Sequence, residues 1–246
     1  MPLIAANTGF LWKDLPFLER IRRAKVAGFT AVEFHDEAQS ADLGTLLEVL
    51  AETGLPVLGL NTRMGPTMGA AALVGHEAQA RADIDDAVRI AKAVGARAIH
   101  VVAGKAEGPE AHAAYLGSLI HALDRFDGTI LIEPISMSAV PGYFLGSLYQ
   151  AADIADTLDN PRLKLLFDVF HVRAMGYDLV QMANEFMPFI GHVQLAGWPE
   201  RDEPVLAASM AGMLKALGYG GDFGAEYRPR GVVEDGLGWL AEMRAT

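Results

Sequence analysis

Short apolar runs recur along the chain, and each is followed by a longer stretch in which apolar residues return every three or four positions. The short runs are typical of buried strands, and the longer stretches are typical of amphipathic helices. The predicted strands span 3–7, 30–34, 56–61, 98–104, 129–134, 163–168, 190–197 and 221–227. The pattern therefore predicts eight strand–helix units.

The helical stretches carry their own boundary signals. Asp14 and Pro16 mark the start of the first helix, and Gly28 marks its end. Within 77–95 one face of a predicted helix is apolar at helical spacing. That face comprises Ala80, Ile84, Ala87, Val88, Ala91 and Val94.

The alternation of strands and helices narrows the fold to two architectures. Eight units of roughly 30 residues each suit a (β/α)8 TIM barrel, which needs about 250 residues. A doubly wound open sheet shares the alternation, but the first predicted strand is not followed by the G-x-G-x-x-G fingerprint of that fold. Because no linker or shift in composition divides the chain, we predict a single α/β barrel domain over 1–246.

Composition excludes several classes of protein. The chain has no cysteine, so it has neither disulfides nor thiolate chemistry. A net charge of −11 argues against a nucleic-acid partner. No apolar run reaches the roughly 18 residues of a membrane span, and the N-terminus lacks the basic region of a secretory signal. We expect a cytoplasmic protein with a small-molecule substrate and no membrane partner. The oligomeric state stays open, a homo-oligomer included.

Oxygen-bearing side chains lie at the ends of the last four predicted strands. Glu133, Asp168 and Glu226 end the fifth, sixth and eighth strands, and Gln194 lies in the seventh. In a barrel the carboxyl ends of the strands face the site, where three converging carboxylates would repel each other. A divalent cation removes that repulsion, and oxygen ligands suit Mg²⁺ or Mn²⁺. The alternative is that each acid pairs separately with an arginine or a helix N-terminus.

Five segments of the sequence resemble one known family. They are "NTGFLWKDLPFLERIRRAKVAGFTAVEF", "IEPISMSAVPGYFL", "LLFDVFHV", "IGHVQLAGWPERDEP" and "GAEYRPRGVVEDGLGW". Together they make the chain similar to the hydroxypyruvate isomerase family of xylose-isomerase-like barrels, to which the ketose 3-epimerases are related. The resemblance runs nearly from end to end.

The resemblance implies a metal-dependent isomerase. It implies that one Mg²⁺ or Mn²⁺ ion is held by Glu133, Asp168, Gln194 and Glu226, and that Glu133 and Glu226 are the catalytic residues that transfer the proton. The implied reaction interconverts hydroxypyruvate and tartronate semialdehyde through an enediolate. Two carboxylates and a cation suit that chemistry, because one carboxylate removes a proton, the other returns it, and the cation stabilises the charge on oxygen.

The resemblance makes His171 and Arg201 substrate contacts. A buried structural histidine and a surface arginine are the respective alternatives. Glu33 and Asn7 end the second and first predicted strands and are expected to support the site from below. His100 lies within a strand, where it either faces the barrel interior or belongs to the core.

The remaining polar residues carry weaker expectations. Glu200, Asp202 and Glu203 are expected to be solvated loop charges. No pattern supports a role for four further histidines, which are His35, His76, His112 and His121.

The chain departs from the family at two places. Segment 62–76 lacks the family's tryptophan and Gly-Glu-Arg-Gly stretch, and Ser136 replaces an asparagine. Segment 62–76 is expected to be either a mobile loop over the site or plain surface disorder, and Arg63 either replaces the missing arginine or faces solvent. These changes leave the substrate open between hydroxypyruvate and a 2-oxo-tetronate.

Functions of other classes remain as alternatives. Epimerisation of a ketose at C3 is disfavoured by Gln194, where the epimerases usually have histidine. A phosphodiester hydrolase of the endonuclease IV type needs a histidine-rich zinc site and a basic DNA face, and the sequence has neither. A non-catalytic sugar-binding barrel would leave the two glutamates unexplained.

Overall fold

Eight parallel strands form a closed barrel in the computed structural model, which describes residues 1–245. Each strand pairs with the one before it in the chain, and the eighth pairs with the first. The strands are β1 (Ile4–Asn7), β2 (Ala31–Phe34), β3 (Val57–Asn61), β4 (Ala98–His100), β5 (Thr129–Ile132), β6 (Leu163–Asp168), β7 (Ile190–Leu195) and β8 (Phe223–Ala225). The predicted (β/α)8 TIM barrel is confirmed.

Helices follow the strands around the outside of the barrel. Over residues 1–245 they are α1 (Phe17–Ala27), α2 (Leu43–Thr53), α3 (Glu77–Val94), α4 (Gly108–Arg125), α5 (Leu148–Leu158), α6 (Val169–Ala174), α7 (Leu179–Phe186), α8 (Ala207–Ala216) and α9 (Gly238–Ala245). None of the helices in this described part is long and apolar enough to cross a membrane.

The predicted boundaries of α1 and α3 are confirmed. Gly28 ends α1 with a φ of 91°, the left-handed conformation that glycine adopts without strain. On α3, Ala80, Ile84 and Ala87 are fully buried, as the apolar spacing predicted. The largest hydrophobic cluster includes Ile84 and Ala87 together with strand residues such as Val32 and Ile130. Helical periodicity in the sequence therefore located the layer that packs on the barrel.

Four strands, β4, β5, β7 and β8, end earlier than the apolar runs predicted, and the difference is largest at β4. The chain leaves the barrel after His100, and Ala103 then pairs with Gly69 of segment 62–76. Gly69 is required there because its φ is 105° and an added Cβ would lie 2.1 Å from the Val102 carbonyl oxygen. Ala72 of the same segment is fully buried. Segment 62–76 is thus packed against the barrel, which is at odds with plain surface disorder.

The barrel interior changes from apolar to polar toward the carboxyl ends of the strands. Two small clusters, separate from the main core, contain Ala5, Ala31, Leu58, Ala98, Leu131 and Leu166. Residues two positions later on a strand face the same side. That step leads from Ala31 to Glu33 and from Leu166 to Asp168. The alternation therefore gives the interior a polar upper layer above an apolar floor.

Candidate active site

The four predicted ligand residues lie at the same rim of the barrel. Asp168 is the last residue of β6, and its register partner on β7 is Gln194. Glu133 and Glu226 come directly after β5 and β8. All four side chains are buried. Their common placement follows from the parallel strands, whose carboxyl ends meet at one edge.

Arg201 lies between two of the carboxylates. Its Nη2 atom donates to Asp168 Oδ2 at 2.7 Å and to Glu226 Oε1 at 2.8 Å. The guanidinium carbon lies 4.7 Å from the ring centroid of Phe10 and 5.0 Å from that of Phe170, so two aromatic faces add cation–π attraction. Arg201 is only 7% exposed, and the alternative of a surface arginine is wrong.

Asp168 is compensated from two directions in this structure. Besides the ion pair with Arg201, its Oδ1 accepts a hydrogen bond from the backbone N–H of Phe170 at 2.7 Å. Asp168 is therefore the N-cap of α6, where a carboxylate is favoured by the helix dipole. The sequence predicts that a metal ion compensates the negative charge of Asp168. In this structure the compensating positive charge comes from Arg201 and from the N-terminus of α6.

His171 is held in the first turn of α6 beside the same group of charges. Its Nε2 lies 3.1 Å from Arg201 Nη1 and 3.8 Å from Glu133 Oε1, and the Ser136 hydroxyl lies 3.3 Å from Nδ1. Burial, with a smaller contribution from Arg201, lowers the pKa of His171 to about 3. The imidazole is therefore neutral, and Ser136, one of the departures from the family, helps to hold it.

The acids of the site have opposite tendencies to ionise. Burial, together with the nearby charges of Glu226 and Asp168, raises the pKa of Glu133 well above its usual range. Burial also raises the pKa of Asp168, to about 6, although Arg201 opposes it. Burial acts in the same direction on Glu226, but Arg201 and His35 outweigh it and lower the pKa of Glu226 to about 2. Carboxyl pKa values that are shifted in opposite directions within one site suit paired acid and base roles.

Two buried acceptors of the site have no hydrogen-bond partner among residues 1–245. They are Glu133 Oε1 and Gln194 Oε1. Glu133, Asp168 and His171 also offer ligand atoms that all lie within 4.8 Å of one another. Unpartnered oxygens beside a compact carboxylate pair fit a divalent cation, because its charge would satisfy them. Of the predicted ligands, Asp168 and Glu226 each have one oxygen that is already bound by Arg201.

A model of the family described as "Xylose isomerase-like TIM barrel" matches residues 21–243. The chain belongs to this family. A relative named "2-oxo-tetronate isomerase" from Pectobacterium atrosepticum is 36% identical over 97% of each chain. A relative named "Putative hydroxypyruvate isomerase" from Homo sapiens is also 36% identical, over 96% of this chain and 93% of its own. The resemblance predicted from the sequence is confirmed.

Two solved structures show how closely the fold is shared within xylose isomerase-like barrels. A crystal structure described as AP endonuclease, family 2, from Brucella melitensis is 30% identical over 98% of each chain, with a TM-score of 0.92. A 3-keto-D-glucoside 4-epimerase from E. coli covers 100% of each chain at 20% identity, with a TM-score of 0.81. The second likeness shows the fold alone.

Sequence reasoning missed His35 in this xylose isomerase-like site. Its Nε2 lies 3.6 Å from Glu226 Oε1. Burial lowers the pKa of His35, but the hydrogen bond and charge of Glu226 outweigh burial, and the net pKa is raised. The signal that would have found it is alternation, since His35 lies two residues after the inward-facing Glu33.

The expectation of solvated loop charges after β7 is wrong for two of three residues. Asp202 and Glu203 are buried, and only Glu200 is exposed. Asp202 Oδ2 pairs with the guanidinium of Arg230, and Glu203 Oε1 accepts from the backbone N–H of Arg230 at 2.9 Å. The loop therefore folds back onto the segment after β8, and this contact encloses Arg201.

Two other arginines do not join the group around Arg201. Arg63 Nη2 pairs with Asp86 at 2.8 Å and also donates to the Gln39 carbonyl oxygen. Arg228 is exposed, and its backbone N–H donates to the Arg201 carbonyl oxygen. Arg201 is thus the arginine that reaches the centre of the site.

Proposed function

We propose that the protein is an isomerase of a short 2-oxo acid that uses one divalent cation, Mg²⁺ or Mn²⁺. The observation that carries the proposal is geometric: four buried oxygen-bearing side chains, Glu133, Asp168, Gln194 and Glu226, lie at one rim of the barrel, and the Oε1 atoms of Glu133 and Gln194 have no hydrogen-bond partner among residues 1–245. Relatives that span nearly the whole chain bear the names 2-oxo-tetronate isomerase and hydroxypyruvate isomerase. Hydroxypyruvate is the first candidate substrate, and a 2-oxo-tetronate is the second.

The proposed reaction moves hydrogen between adjacent carbons. For hydroxypyruvate, a proton leaves carbon 3, an enediolate forms, and a proton arrives at carbon 2 to give tartronate semialdehyde. The hydroxyl proton passes from the oxygen on carbon 3 to the oxygen on carbon 2, so the atoms balance. Glu226, which is ionised, suits the removal of a proton. Glu133 is the second carboxyl group of the pair and returns the proton. Such acid–base assistance contributes about 10²–10⁴-fold to the rate.

The remaining residues bind the cation and the substrate in this proposal. Glu133, Asp168, Gln194 and Glu226 would hold the cation, and oxygens of Glu133 and Asp168 lie within 4.8 Å of each other. When bound, the cation supplies positive charge that stabilises the developing enediolate. Arg201 would bind the carboxylate of a 2-oxo acid with N–H groups that contact Asp168 and Glu226 in this structure, once the cation compensates those two acids. His171 is neutral and contacts a substrate oxygen.

A nuclease role finds less support. The Brucella melitensis structure is described as an AP endonuclease, but a DNA-binding face is normally basic and this chain carries a net charge of −11. Within residues 1–245, one group of potential metal ligands comes together, with a single histidine in it. A site for several zinc ions would need more histidine ligands than this group contains.

A substrate panel tests the proposal directly. Purified protein supplied with Mn²⁺ or Mg²⁺ is expected to convert hydroxypyruvate or a 2-oxo-tetronate, and to leave fructose and tagatose unchanged. The reason is that a short acid has a carboxylate for Arg201, whereas a hexose has none. Products are followed by NMR. A 3-epimerised ketose as the best product would move the chain to the epimerases, and no turnover of any compound by metal-loaded protein would refute the proposed substrate class.

Metal removal is expected to abolish turnover reversibly. Dialysis against a chelator should leave less than one tenth of the activity, and added Mg²⁺ or Mn²⁺ should restore it, because the cation stabilises the enediolate charge. Elemental analysis checks that the metal content and the activity fall together. Full activity in protein freed of metal would contradict the metal requirement and show that the glutamates catalyse the reaction without a cation.

A further inference from the structure

The side chain of Glu33 reaches across the barrel interior beneath the candidate site. Glu33 lies on β2, yet it contacts residues of β1 and β7. Its Oε1 accepts hydrogen bonds from Asn7 Nδ2 at 3.0 Å and from Gln194 Nε2 at 2.8 Å. Its Oε2 lies 2.8 Å from His192 Nε2. With an exposure of 4%, this carboxylate is closed off from solvent and fully engaged by three donors.

Gly224 on β8 makes the room for this carboxylate. A Cβ atom at position 224 would lie 2.4 Å from both oxygens of Glu33, closer than non-bonded atoms approach. The cavity that remains beside Glu33, Asn7, His192 and Gln194 is about 20 Å³, on the order of one water molecule. The groups around Glu33 therefore have little space for another arrangement.

Glu33 determines which end of the Gln194 amide faces the site. An amide presents a donor at one end and an acceptor at the other. Because Glu33 accepts from the Gln194 nitrogen, the Gln194 oxygen is turned away from Glu33, and it has no hydrogen-bond partner among residues 1–245. This oxygen is the atom that the proposed function assigns to the cation.

Glu33 also acts on Glu226 through Asn7. Asn7 Nδ2 donates both to Glu33 and to Glu226 Oε2, each at 3.0 Å. The Asn7 oxygen accepts from the backbone N–H of Gly9 at 2.9 Å, so both ends of this amide are fixed. The buried Glu33 carboxylate thus orients Gln194, a proposed metal ligand, directly. It orients Glu226, a proposed proton carrier, through Asn7.

We propose that Glu33 is a positioning residue that holds the Gln194 oxygen and the Glu226 carboxylate in the orientation that the divalent cation requires. The proposal rests on the proposed function, since it concerns the same cation. Glu33 itself touches neither substrate nor metal in this proposal.

The test compares Mn²⁺ affinity by titration calorimetry in the whole protein. Glu33→Gln keeps the volume but removes the negative charge of Glu33 and replaces one of its two accepting oxygens with an N–H₂ group, which weakens its hold on the Gln194 and Asn7 amides. We expect the dissociation constant for Mn²⁺ to rise about 10–100-fold, the usual effect of removing a residue that orients a metal ligand. Circular dichroism should show an unchanged barrel.

A polarity exchange separates positioning from a general structural role. In the double variant Glu33→Gln/Gln194→Glu, the new amide at 33 donates to the new carboxylate at 194, which still offers an oxygen to the cation. Mn²⁺ affinity should return to within about tenfold of wild type. Asp83→Asn, a buried carboxylate on α3 outside the site, is the matched control and should leave the affinity unchanged.

The outcomes distinguish this inference from the function on which it rests. If wild type binds Mn²⁺ and Glu33→Gln binds it within threefold of wild type, Glu33 is not a positioning residue. If Glu33→Gln does not fold, the double variant decides, and a folded double variant with affinity weakened beyond tenfold overturns the inference. If wild type itself binds no Mn²⁺, the proposed metal site fails and this inference fails with it.

Discussion

Glu133→Gln and Glu226→Gln are each expected to abolish turnover while the barrel stays folded. Each change removes a proton carrier and a charged group offered to the cation. The loss should therefore exceed the factor of about 10²–10⁴ that general acid–base catalysis alone contributes. Steady-state kinetics on hydroxypyruvate at saturating Mn²⁺ measure the effect, and circular dichroism verifies the fold.

Glu203→Gln is the matched control for these two variants. Glu203 is a glutamate of similar burial, but it binds the segment after β8 and does not face the acids of the site. It should keep most of its activity. A Glu226→Gln enzyme within tenfold of wild type would refute the mechanism in which both glutamates transfer the proton.

Arg201→Met is expected to destabilise the metal-free protein by about 3–5 kcal/mol, the cost of removing one partner of a buried ion pair. Methionine retains the apolar contact with Phe10 and Phe170, so the lost positive charge causes most of the effect. Asp168 and Glu226 would then lack the positive charge that they share. Urea denaturation in the absence of metal measures the change.

Added Mn²⁺ should return part of the lost stability of Arg201→Met, because a cation supplies the missing charge and binds only the folded protein. Arg230→Met is the control. Its guanidinium also pairs with acids but is largely exposed, so its loss should matter little. A destabilisation by Arg201→Met below about 1 kcal/mol, the level of an exposed ion pair, would show that Arg201 does not compensate the buried acids.

Residues on strands were predictable because two local rules apply to them. Hydrophobic periodicity located the strands, and the geometry of a parallel barrel brought Glu133, Asp168, Gln194 and Glu226 to one rim. The first rule depends on neighbours in sequence, and the second depends on the parallel order of the strands in the barrel. They could not give the orientation of the Gln194 amide, which depends on Glu33 from a distant strand.

Residues in loops were less predictable because their environment comes from remote contacts. Asp202 lies in a charged, proline-containing stretch that looks solvated, yet it is buried and pairs with Arg230, 28 positions later. The same folding back encloses Arg201. His35 was missed for a different reason, since it follows the last residue of β2 and its contact with Glu226 spans the rim of the barrel.

Segment 62–76 is attached to the barrel mainly through its backbone. The N–H of Ala72 donates to the Ala103 carbonyl oxygen at 2.7 Å, and the carbonyl oxygen of Thr67 accepts from the N–H of Lys105 at 3.0 Å. Main-chain groups are the same in every amino acid except proline, so exposed side chains here can be exchanged while these bonds persist, provided that position 69 stays glycine. Natural or laboratory evolution can therefore vary the side chains of this segment while the acids beneath it stay unchanged. Substrate selectivity can then change with little loss of folding stability.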